Sequence, residues 1–369
     1  MPRRLIVLFD GTWSKATTRT NVDRLWRLIA PSDGVGNAQR CRYIPGVGVE
    51  RGIGHLLGGA FGLGLSANIR EGYRWLCGQW RDGDEIWTFG FSRGAYSARS
   101  LAGMIRKCGL LSPDAQGSVD DVAIGQAWDF YRDDVAPADP RAVAWRAARS
   151  RTVGIRFIGV WETVGALGIP DVASWFPFAR SRYRFHDTGL SRIVQYAYQA
   201  LALDEHRADF APAKWMRRPE SLAPGESPAA MKPGQIEVEQ RWFAGSHSDV
   251  GGGEPTDGAG HRPDPLPDPP LAWMQRKAIG AGLAFTAPFV PLSEAVTATP
   301  NDSYRHFMFG LYHLFKRPFN RVFGTGINET VDDSVWEHWR AVAAYRPSTL
   351  TVALADGALA VPSGIGSAA

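Results

Sequence analysis

The most constraining feature of this chain is a G-x-S-x-G run, Gly90-Phe91-Ser92-Arg93-Gly94. The apolar, aromatic-rich residues just before it, 84–89, are typical of a buried strand. After it, small or apolar residues recur at 95, 98, 102 and 105, the spacing of one helix face. A strand, a tight turn carrying a serine and a helix are the context of a nucleophile elbow. The pattern predicts Ser92 as a nucleophile, and the alternative is a buried structural serine.

The composition of the chain is that of an ordinary soluble globular protein. The chain has 369 residues, 44% hydrophobic and 21% charged. We expect a single α/β domain over residues 1–361, carrying insertions, and a flexible tail over 362–369. No apolar run reaches the roughly 18 residues of a membrane-spanning helix. The first apolar run is stopped by Asp10, which indicates a strand rather than a signal peptide, so we expect a cytoplasmic protein.

Charge and cysteine usage argue against several other classes. The net charge is +4 and the cations are scattered, so we expect no nucleic-acid partner, although weak attraction to anionic membranes stays open. The three cysteines, Cys41, Cys77 and Cys108, form no C-x-x-C pair. This argues against a disulfide framework or a zinc site and indicates a reducing compartment.

Predicted strands and helices alternate along the chain. Strands are expected at residues 4–9, 41–44, 84–89, 153–160, 235–243 and 348–354. Helices are expected at residues 22–29, where Asn21 is the cap, and at 67–79, 95–107, 119–132, 188–202 and 271–283. The alternation predicts an α/β-hydrolase-like fold, a mainly parallel sheet with helices on both faces. Its ligands would bind beyond the carboxyl ends of the strands.

Reactive side chains directly follow four of these strands. They are Asp10, Ser92, Glu162 and His247. Because the carboxyl ends of parallel strands lie at one edge of a sheet, we expect the four to converge there. Four separate strand ends that carry reactive groups are stronger evidence for a site than any single motif.

A serine hydroxyl needs a base, usually histidine, and the base needs a carboxylate that orients it. Of eight histidines, His247 is the predicted base because it follows a strand among small residues; alternatively it pins the glycine-rich turn. The acid is Glu162, which lies between Ser92 and His247 in chain order, or Asp249, which can instead cap that turn. Asp10 either supports the site or forms a turn.

Acyl transfer also needs an oxyanion hole, usually the N–H after the nucleophile and one from another strand-end loop. By position, the first donor is the N–H of Arg93. The second is the N–H of Gly11 or Thr12.

No metal or cofactor is expected. Residues 62–67 match a dinucleotide-binding pattern, but no strand precedes them. A metal site built from Asp10, His247 and Asp249 with residues 186–187 is the weaker alternative, because their spacing matches no known ligand pattern.

Lid or insertion candidates are residues 46–65, 112–150, 170–187 and 254–270. Aromatic residues at 175–178 precede the arginines Arg180, Arg182 and Arg184. Aromatic rings beside arginines suit an interfacial lid that contacts acyl chains and phosphate head groups, and so peripheral membrane contact. The alternative for each segment is a loop packed on the core.

Five ordered motifs carry a family resemblance. They are residues 8–13 (LFDGTW), 90–96 (GFSRGAY), 159–165 (GVWETVG), 202–205 (ALDE) and 242–253 (WFAGSHSDVGGG). Together they resemble a bacterial family of uncharacterised α/β-hydrolase domains. That family includes the first class of Tle phospholipase effectors of the type VI secretion system. The similarity runs from about residue 4 to residue 285.

The resemblance implies an α/β-hydrolase fold and cleavage of phospholipid acyl esters by a Ser-Asp-His triad. It places the nucleophile at Ser92 and the base at His247. The acid position falls on Glu162, where the family usually has aspartate, so Asp249 stays open as the acid. The resemblance also implies a secretion-system component and an immunity protein as partners, and delivery into target cells.

The leading functional hypothesis is therefore a serine carboxylester hydrolase of phospholipase A type. One alternative is a soluble esterase or polyester depolymerase. The other is a hydrolase-like binding protein in which the glutamate at 162 has weakened catalysis.

Overall fold

A computed structural model describes residues 2–11, 19–46, 59–164, 189–216, 231–253 and 264–362. Its strands are β1 Arg4–Phe9, β2 Gln39–Ile44, β3 Glu85–Phe91, β4 Leu110–Leu111, β5 Ser150–Arg151, β6 Ile155–Trp161, β7 Val194–Ala202, β8 Glu237–Phe243 and β9 Glu329–Val331. Its α-helices are α1 Asn21–Leu28, α2 Gly59–Gln79, α3 Arg93–Cys108, α4 Asp121–Arg132, α5 Pro140–Arg149, α6 His247–Gly251, α7 Asp268–Ala281, α8 Ser303–His306, α9 Tyr312–Phe315, α10 Asp333–Ala341 and α11 Ser348–Ala355.

Seven of these strands form one parallel sheet in the order β2-β1-β3-β6-β7-β8-β9. The register aligns Phe9 with Gly90, Phe91 with Trp161 and Trp161 with Ala200. The carboxyl ends of β1, β3, β6 and β7 therefore lie side by side. The predicted α/β-hydrolase-like fold, a mainly parallel sheet with helices, is confirmed.

Helices cover both faces of the sheet. In β1, Leu5, Val7 and Phe9 pack in one apolar cluster with residues of α2 and α3, whereas Ile6 and Leu8 pack in a second cluster with residues of α1 and α7. Side chains of a strand alternate between its two faces, so β1 can be apolar at every position from Leu5 to Phe9 only because both faces are buried.

The helix predicted over 188–202 is wrong. Residues Val194–Ala202 form β7, which pairs in parallel with β6 on one side and β8 on the other. Its valine and two tyrosines favour a strand, whereas its alanine, leucine and glutamine residues favour a helix, so local preference is divided. Its central position in a sheet buried on both faces decides the conformation instead.

The strand predicted over 348–354 is also wrong. Residues Ser348–Ala355 form helix α11, and the last strand of the sheet is the unpredicted β9. Short apolar runs cannot distinguish strand from helix by periodicity alone. At the first helix the cap is Thr20, not Asn21: the Thr20 hydroxyl accepts from the Asp23 N–H at 3.2 Å. The Asn21 amide instead donates to the Val250 carbonyl at 3.0 Å.

The insertion candidate 112–150 packs beside α3. Within this candidate, α5 begins at Pro140 and was not predicted. Phe130 of α4 stacks on Trp145 of α5 with centroids 4.6 Å apart, and the Lys107 ammonium donates to the Asp133 carbonyl at 2.6 Å. Several predicted segments lie outside the described residues. They are the candidate 170–187 with its aromatic and arginine residues, residues 47–58 of the candidate 46–65, residues 254–263 of the candidate 254–270, and residues 363–369 of the tail.

None of the helices in the described segments is both long enough and apolar enough to span a bilayer.

Candidate active site

The turn between β3 and α3 holds Ser92 in a strained backbone, with φ 56° and ψ −117°. The Ser92 N–H donates to the Trp161 carbonyl at 3.0 Å, which ties the turn to β6. A Cβ on Gly94 would clash with the Phe9 carbonyl, and one on Gly90 would clash with the Gly94 carbonyl. Both glycines of the motif are therefore required by close backbone approach. A non-glycine residue in such a conformation points to a functional site.

His247 begins helix α6, directly beyond β8, and its side chain is buried. Its Nε2 lies 2.9 Å from the Ser92 Oγ, within hydrogen-bond distance. Two aromatic rings flank the imidazole: Phe91 at 4.8 Å and Phe210 at 5.1 Å between centroids. The packing fixes the ring in a position from which it can remove the serine proton.

Glu162 follows β6 with φ 46° and is fully buried. Its Oε2 lies 3.2 Å from His247 Nδ1, and its Oε1 accepts the Ala202 N–H at 2.7 Å. The structure thus brings Ser92, His247 and Glu162 into one hydrogen-bonded chain. In this chain the carboxylate can fix the tautomer of the histidine and stabilise its protonated form.

Arg321, which the sequence did not indicate, holds the far side of Glu162. Its Nη1 donates to Glu162 Oε1 and its Nη2 to Oε2, both at 2.8 Å. The same two nitrogens donate to the carbonyls of Ala202 at 2.7 Å and Phe210 at 2.8 Å. Both side chains of this ion pair are fully buried. If either were removed, water could not take its place, and the other would remain as an unpaired buried charge.

The environment keeps the acid ionised and the base neutral. Burial by itself raises the pKa of Glu162, but the charge of Arg321 and hydrogen bonds from His247 and Arg321 outweigh it, and the net pKa lies below the ordinary value. Burial lowers the pKa of His247 below its ordinary value of 6.5, against the opposing effect of Glu162. A neutral imidazole beside an ionised carboxylate is the state a general base requires.

We therefore expect the acid limb of the pH–rate profile to lie below pH 6.5. The base works only when deprotonated, and the lowered pKa of His247 moves its protonation to more acidic pH. Activity persists as the pH falls through 6.5 and is lost below it. The check is kcat/KM against a soluble short-chain ester across the acidic range. A limb centred above pH 6.5 would contradict this assignment.

Asp249 lies apart from the histidine ring. Its Oδ2 accepts the N–H of Ser246 at 2.7 Å and the N–H of Asn301 at 2.9 Å, and its Oδ1 accepts the Asn301 amide. The bond from the Ser246 N–H caps the N-terminus of α6. The geometry favours Glu162 over Asp249 as the partner of His247.

At the end of β1, the Asp10 carboxylate accepts three hydrogen bonds from described residues. Its Oδ1 accepts the Gly11 N–H at 2.6 Å and the Thr20 hydroxyl at 2.8 Å, and its Oδ2 accepts the Tyr43 hydroxyl. Burial raises the pKa of Asp10, and these three hydrogen bonds only partly offset it. Since the Gly11 N–H already has Asp10 as an acceptor, its use as an oxyanion donor requires a shift of that carboxylate. Thr12, the alternative, lies outside the described residues.

Asp204 and Glu205, the acidic pair of the 202–205 motif, hold the backbone of the segment that leads into His247. The Glu205 carboxylate accepts the His247 N–H at 3.3 Å and the Ser303 hydroxyl at 3.0 Å. Burial raises the pKa of Glu205, but a bidentate hydrogen bond from Arg207 lowers it to about 2. The Asp204 carboxylate accepts the Gly245 N–H at 2.7 Å. From the sequence, this motif was identified only through the family resemblance, and no role was predicted for its residues.

The described residues contain no group of three or more His, Cys, Asp or Glu side chains that could hold a metal ion. Residues 186–187 of the metal alternative lie outside the described segments. Residues 62–67 lie inside helix α2 rather than in a turn that follows a strand, which is not the context of a dinucleotide site.

A parallel sheet with a strained serine between a central strand and its helix defines an α/β-hydrolase-like protein. A family model described as "T6SS, Phospholipase effector Tle1-like, catalytic domain" matches residues 3–277. The chain belongs to this family of catalytic domains. Arg321 lies beyond the matched residues.

Three individual proteins are also similar to the chain. An uncharacterized protein of Saccharomyces cerevisiae is 31% identical over 234 residues, which are 56% of this chain and 32% of that protein. The crystal structure of an uncharacterized protein from Pseudomonas aeruginosa is 20% identical and covers 80% of this chain and 48% of its own, with a TM-score of 0.46. The structure of the Tle1 effector bound to the VgrG spike is 19% identical and covers 70% and 53%, with a TM-score of 0.41. The chain spans about a third to a half of the length of these relatives.

Proposed function

We propose that this protein is a serine carboxylester hydrolase that cleaves phospholipid acyl esters, a phospholipase of type A. The observation that carries the proposal is the continuous chain from Ser92 Oγ through the His247 ring to Glu162, at 2.9 and 3.2 Å. Glu162 rather than Asp249 is the acid, because only Glu162 faces the ring.

The reaction proceeds in two steps. Ser92 Oγ attacks the acyl carbonyl carbon while His247 Nε2 takes its proton, and the protonated ring returns that proton to the departing alcohol oxygen of the lysophospholipid. Water then attacks the acyl-enzyme and loses a proton to His247, which returns that proton to the departing Ser92 Oγ as the fatty acid is released. Glu162 stabilises the imidazolium in both steps. The Arg93 N–H, at the start of α3, holds the oxyanion, and the Gly11 N–H joins it once the Asp10 carboxylate has shifted away. The helix N-terminus favours the same charge.

The substrate class follows from the family. Its description names a phospholipase effector of the type VI secretion system, which supports a phospholipid substrate. The same description supports a role as cargo of that system, released into target cells, with a secretion-system component as a partner. An immunity protein as a second partner is part of the proposal. Peripheral contact with a bilayer belongs to the proposal, because the scissile esters lie at its surface.

Product identification tests the proposal. The purified protein is mixed with phosphatidylethanolamine and phosphatidylglycerol vesicles, and the products are assigned by mass. Free fatty acid with lysophospholipid is the expected result. Products that keep both acyl chains would overturn the acyl-ester chemistry. Turnover of a short-chain ester without any phospholipid product would overturn the lipid substrate and favour a soluble esterase.

A further inference from the structure

Helix α9 presents apolar side chains to solvent. Leu311, Leu314 and Phe315 are 52%, 64% and 82% exposed, and their spacing of three and four residues places them on one side of the helical turn. We call these three residues the 311–315 patch. Between them Tyr312 is buried, and its hydroxyl donates to Asp209 at 2.9 Å. A buried tyrosine thus anchors the turn while its apolar neighbours face outward.

The sequence around the patch is cationic, and the acidic group that the structure places beside it is Asp209, which is hydrogen-bonded to Tyr312. Residues 303–328 contain no aspartate or glutamate, and they carry Arg305, Lys316 and Arg317 next to the patch in sequence. Arg317 and Arg305 are exposed, and Arg305 has its partner, Asp302, just outside this stretch at 3.5 Å. Large exposed apolar side chains rimmed by basic residues are the composition of an element that lies in a membrane interface with anionic lipids.

An aromatic path connects the patch to the candidate active site. The Tyr312 ring lies 5.5 Å from the Phe307 ring, and the Phe307 ring lies 5.7 Å from that of Phe210. Phe210 packs its ring against His247 at 5.1 Å. Tyr312, which lies between the patch residues in sequence, is therefore three ring contacts away from His247, so the patch and the candidate active site share one packed aromatic cluster.

We propose that the 311–315 patch docks this protein on an anionic phospholipid bilayer. The proposal rests on the proposed function, since it supplies the surface at which a phospholipid hydrolase meets its substrate. Apolar side chains enter the interface beneath the head groups, and Arg305 and Arg317 contact lipid phosphates. The cationic rim fits anionic lipid better than neutral lipid. A protein partner on the same surface is the competing occupant, and absence of vesicle binding by the parent protein would favour it.

The experiment measures binding without hydrolysis. Full-length Ser92→Ala protein is sedimented with vesicles of phosphatidylglycerol and phosphatidylethanolamine, and separately with vesicles of phosphatidylcholine alone. A second protein adds Leu311→Ser, Leu314→Ser and Phe315→Ser. The matched control instead adds Val35→Ser and Val290→Ser, which change two equally exposed apolar residues in other loops.

We expect the triple patch variant to bind anionic vesicles about 10-fold or more weakly than its parent, and the control variant to bind within about twofold. Arg317→Glu is expected to weaken binding to anionic vesicles about fivefold and to leave binding to phosphatidylcholine unchanged. Equal binding by patch variant and parent, absence of vesicle binding by the parent, or equal binding of both lipids would each overturn the proposal.

Separate readouts distinguish this proposal from the proposed function. With Ser92 restored, the patch variant should hydrolyse a soluble short-chain ester at the wild-type rate while its rate on vesicles falls. If wild-type protein binds vesicles through the patch yet releases no acyl groups, the proposed function is wrong and the docking surface still stands. A patch variant that also loses activity on the soluble ester would show a structural role and overturn the docking assignment.

Discussion

The Ser92→Ala variant is expected to release acyl groups roughly 10⁵-fold more slowly than wild-type protein. The substitution removes one oxygen, the atom that lies 2.9 Å from His247 Nε2. Without it no acyl-enzyme can form, and the residual rate comes from the oxyanion donors and from substrate binding alone. The measurement is fatty-acid release from vesicles, with covalent labelling by a fluorophosphonate as a second readout that does not depend on the substrate.

Ser97→Ala provides a matched control for this variant. Ser97 lies one turn further along α3 and is buried, and its hydroxyl bonds only to the Arg93 carbonyl, at 3.1 Å, among the contacts described. We expect the Ser97 variant to keep activity and labelling within a few-fold of wild type. Full activity in Ser92→Ala, or equal loss in both variants with an intact fold, would refute Ser92 as the nucleophile.

Arg321→Met is expected to have the second largest effect. It removes the guanidinium from a carboxylate that is fully buried, and breaking such a pair from one side costs about 3–5 kcal/mol of the free energy of unfolding. The pKa of Glu162 then rises, because burial is no longer opposed by the Arg321 charge. A protonated Glu162 orients His247 poorly, and we expect activity at neutral pH to fall about 10²- to 10⁴-fold.

A double variant separates the charge effect from packing. Arg321→Met with Glu162→Gln removes both charges, so it should recover much of the free energy of unfolding and none of the activity. Arg340→Met, at an exposed arginine of α10, should stay within about 0.5 kcal/mol of wild type. Denaturant melts and ester hydrolysis are the two measurements. An Arg321→Met protein with wild-type stability and activity would show that the ion pair is dispensable.

The sequence predicted the sheet and the elements around the elbow because their signals are local. The elbow is encoded within about twenty residues, and its strand, its glycines and the small residues of α3 all lie there. Strand β7 lacks such a signal. Its conformation depends on β6 and β8 at its sides, 40 or so residues away on each side in sequence, which a pattern of hydrophobic residues does not encode.

Proximity in sequence was also a poor guide to the carboxylate that contacts the His247 ring. Asp249 is two residues from His247, yet residues two apart on a helix point to different sides, and Asp249 turns to Ser246 and Asn301. Glu162 is 85 residues away, and β6 brings it beneath the ring. Arg321 is 159 residues from Glu162. No local pattern marks it among the chain's other arginines, so only the folded chain could reveal it.

The position of Arg321 along the chain sets an order of assembly during synthesis. The ribosome makes Ser92 first, then Glu162 and His247, and the counterion of the buried acid comes only afterwards. A nascent chain that has its serine and histidine still holds a carboxylate without its cation. Under the proposed function, the capacity to attack lipid is therefore acquired only after residue 321 has been made, later than the family-matched residues 3–277 that carry the serine, the histidine and the glutamate.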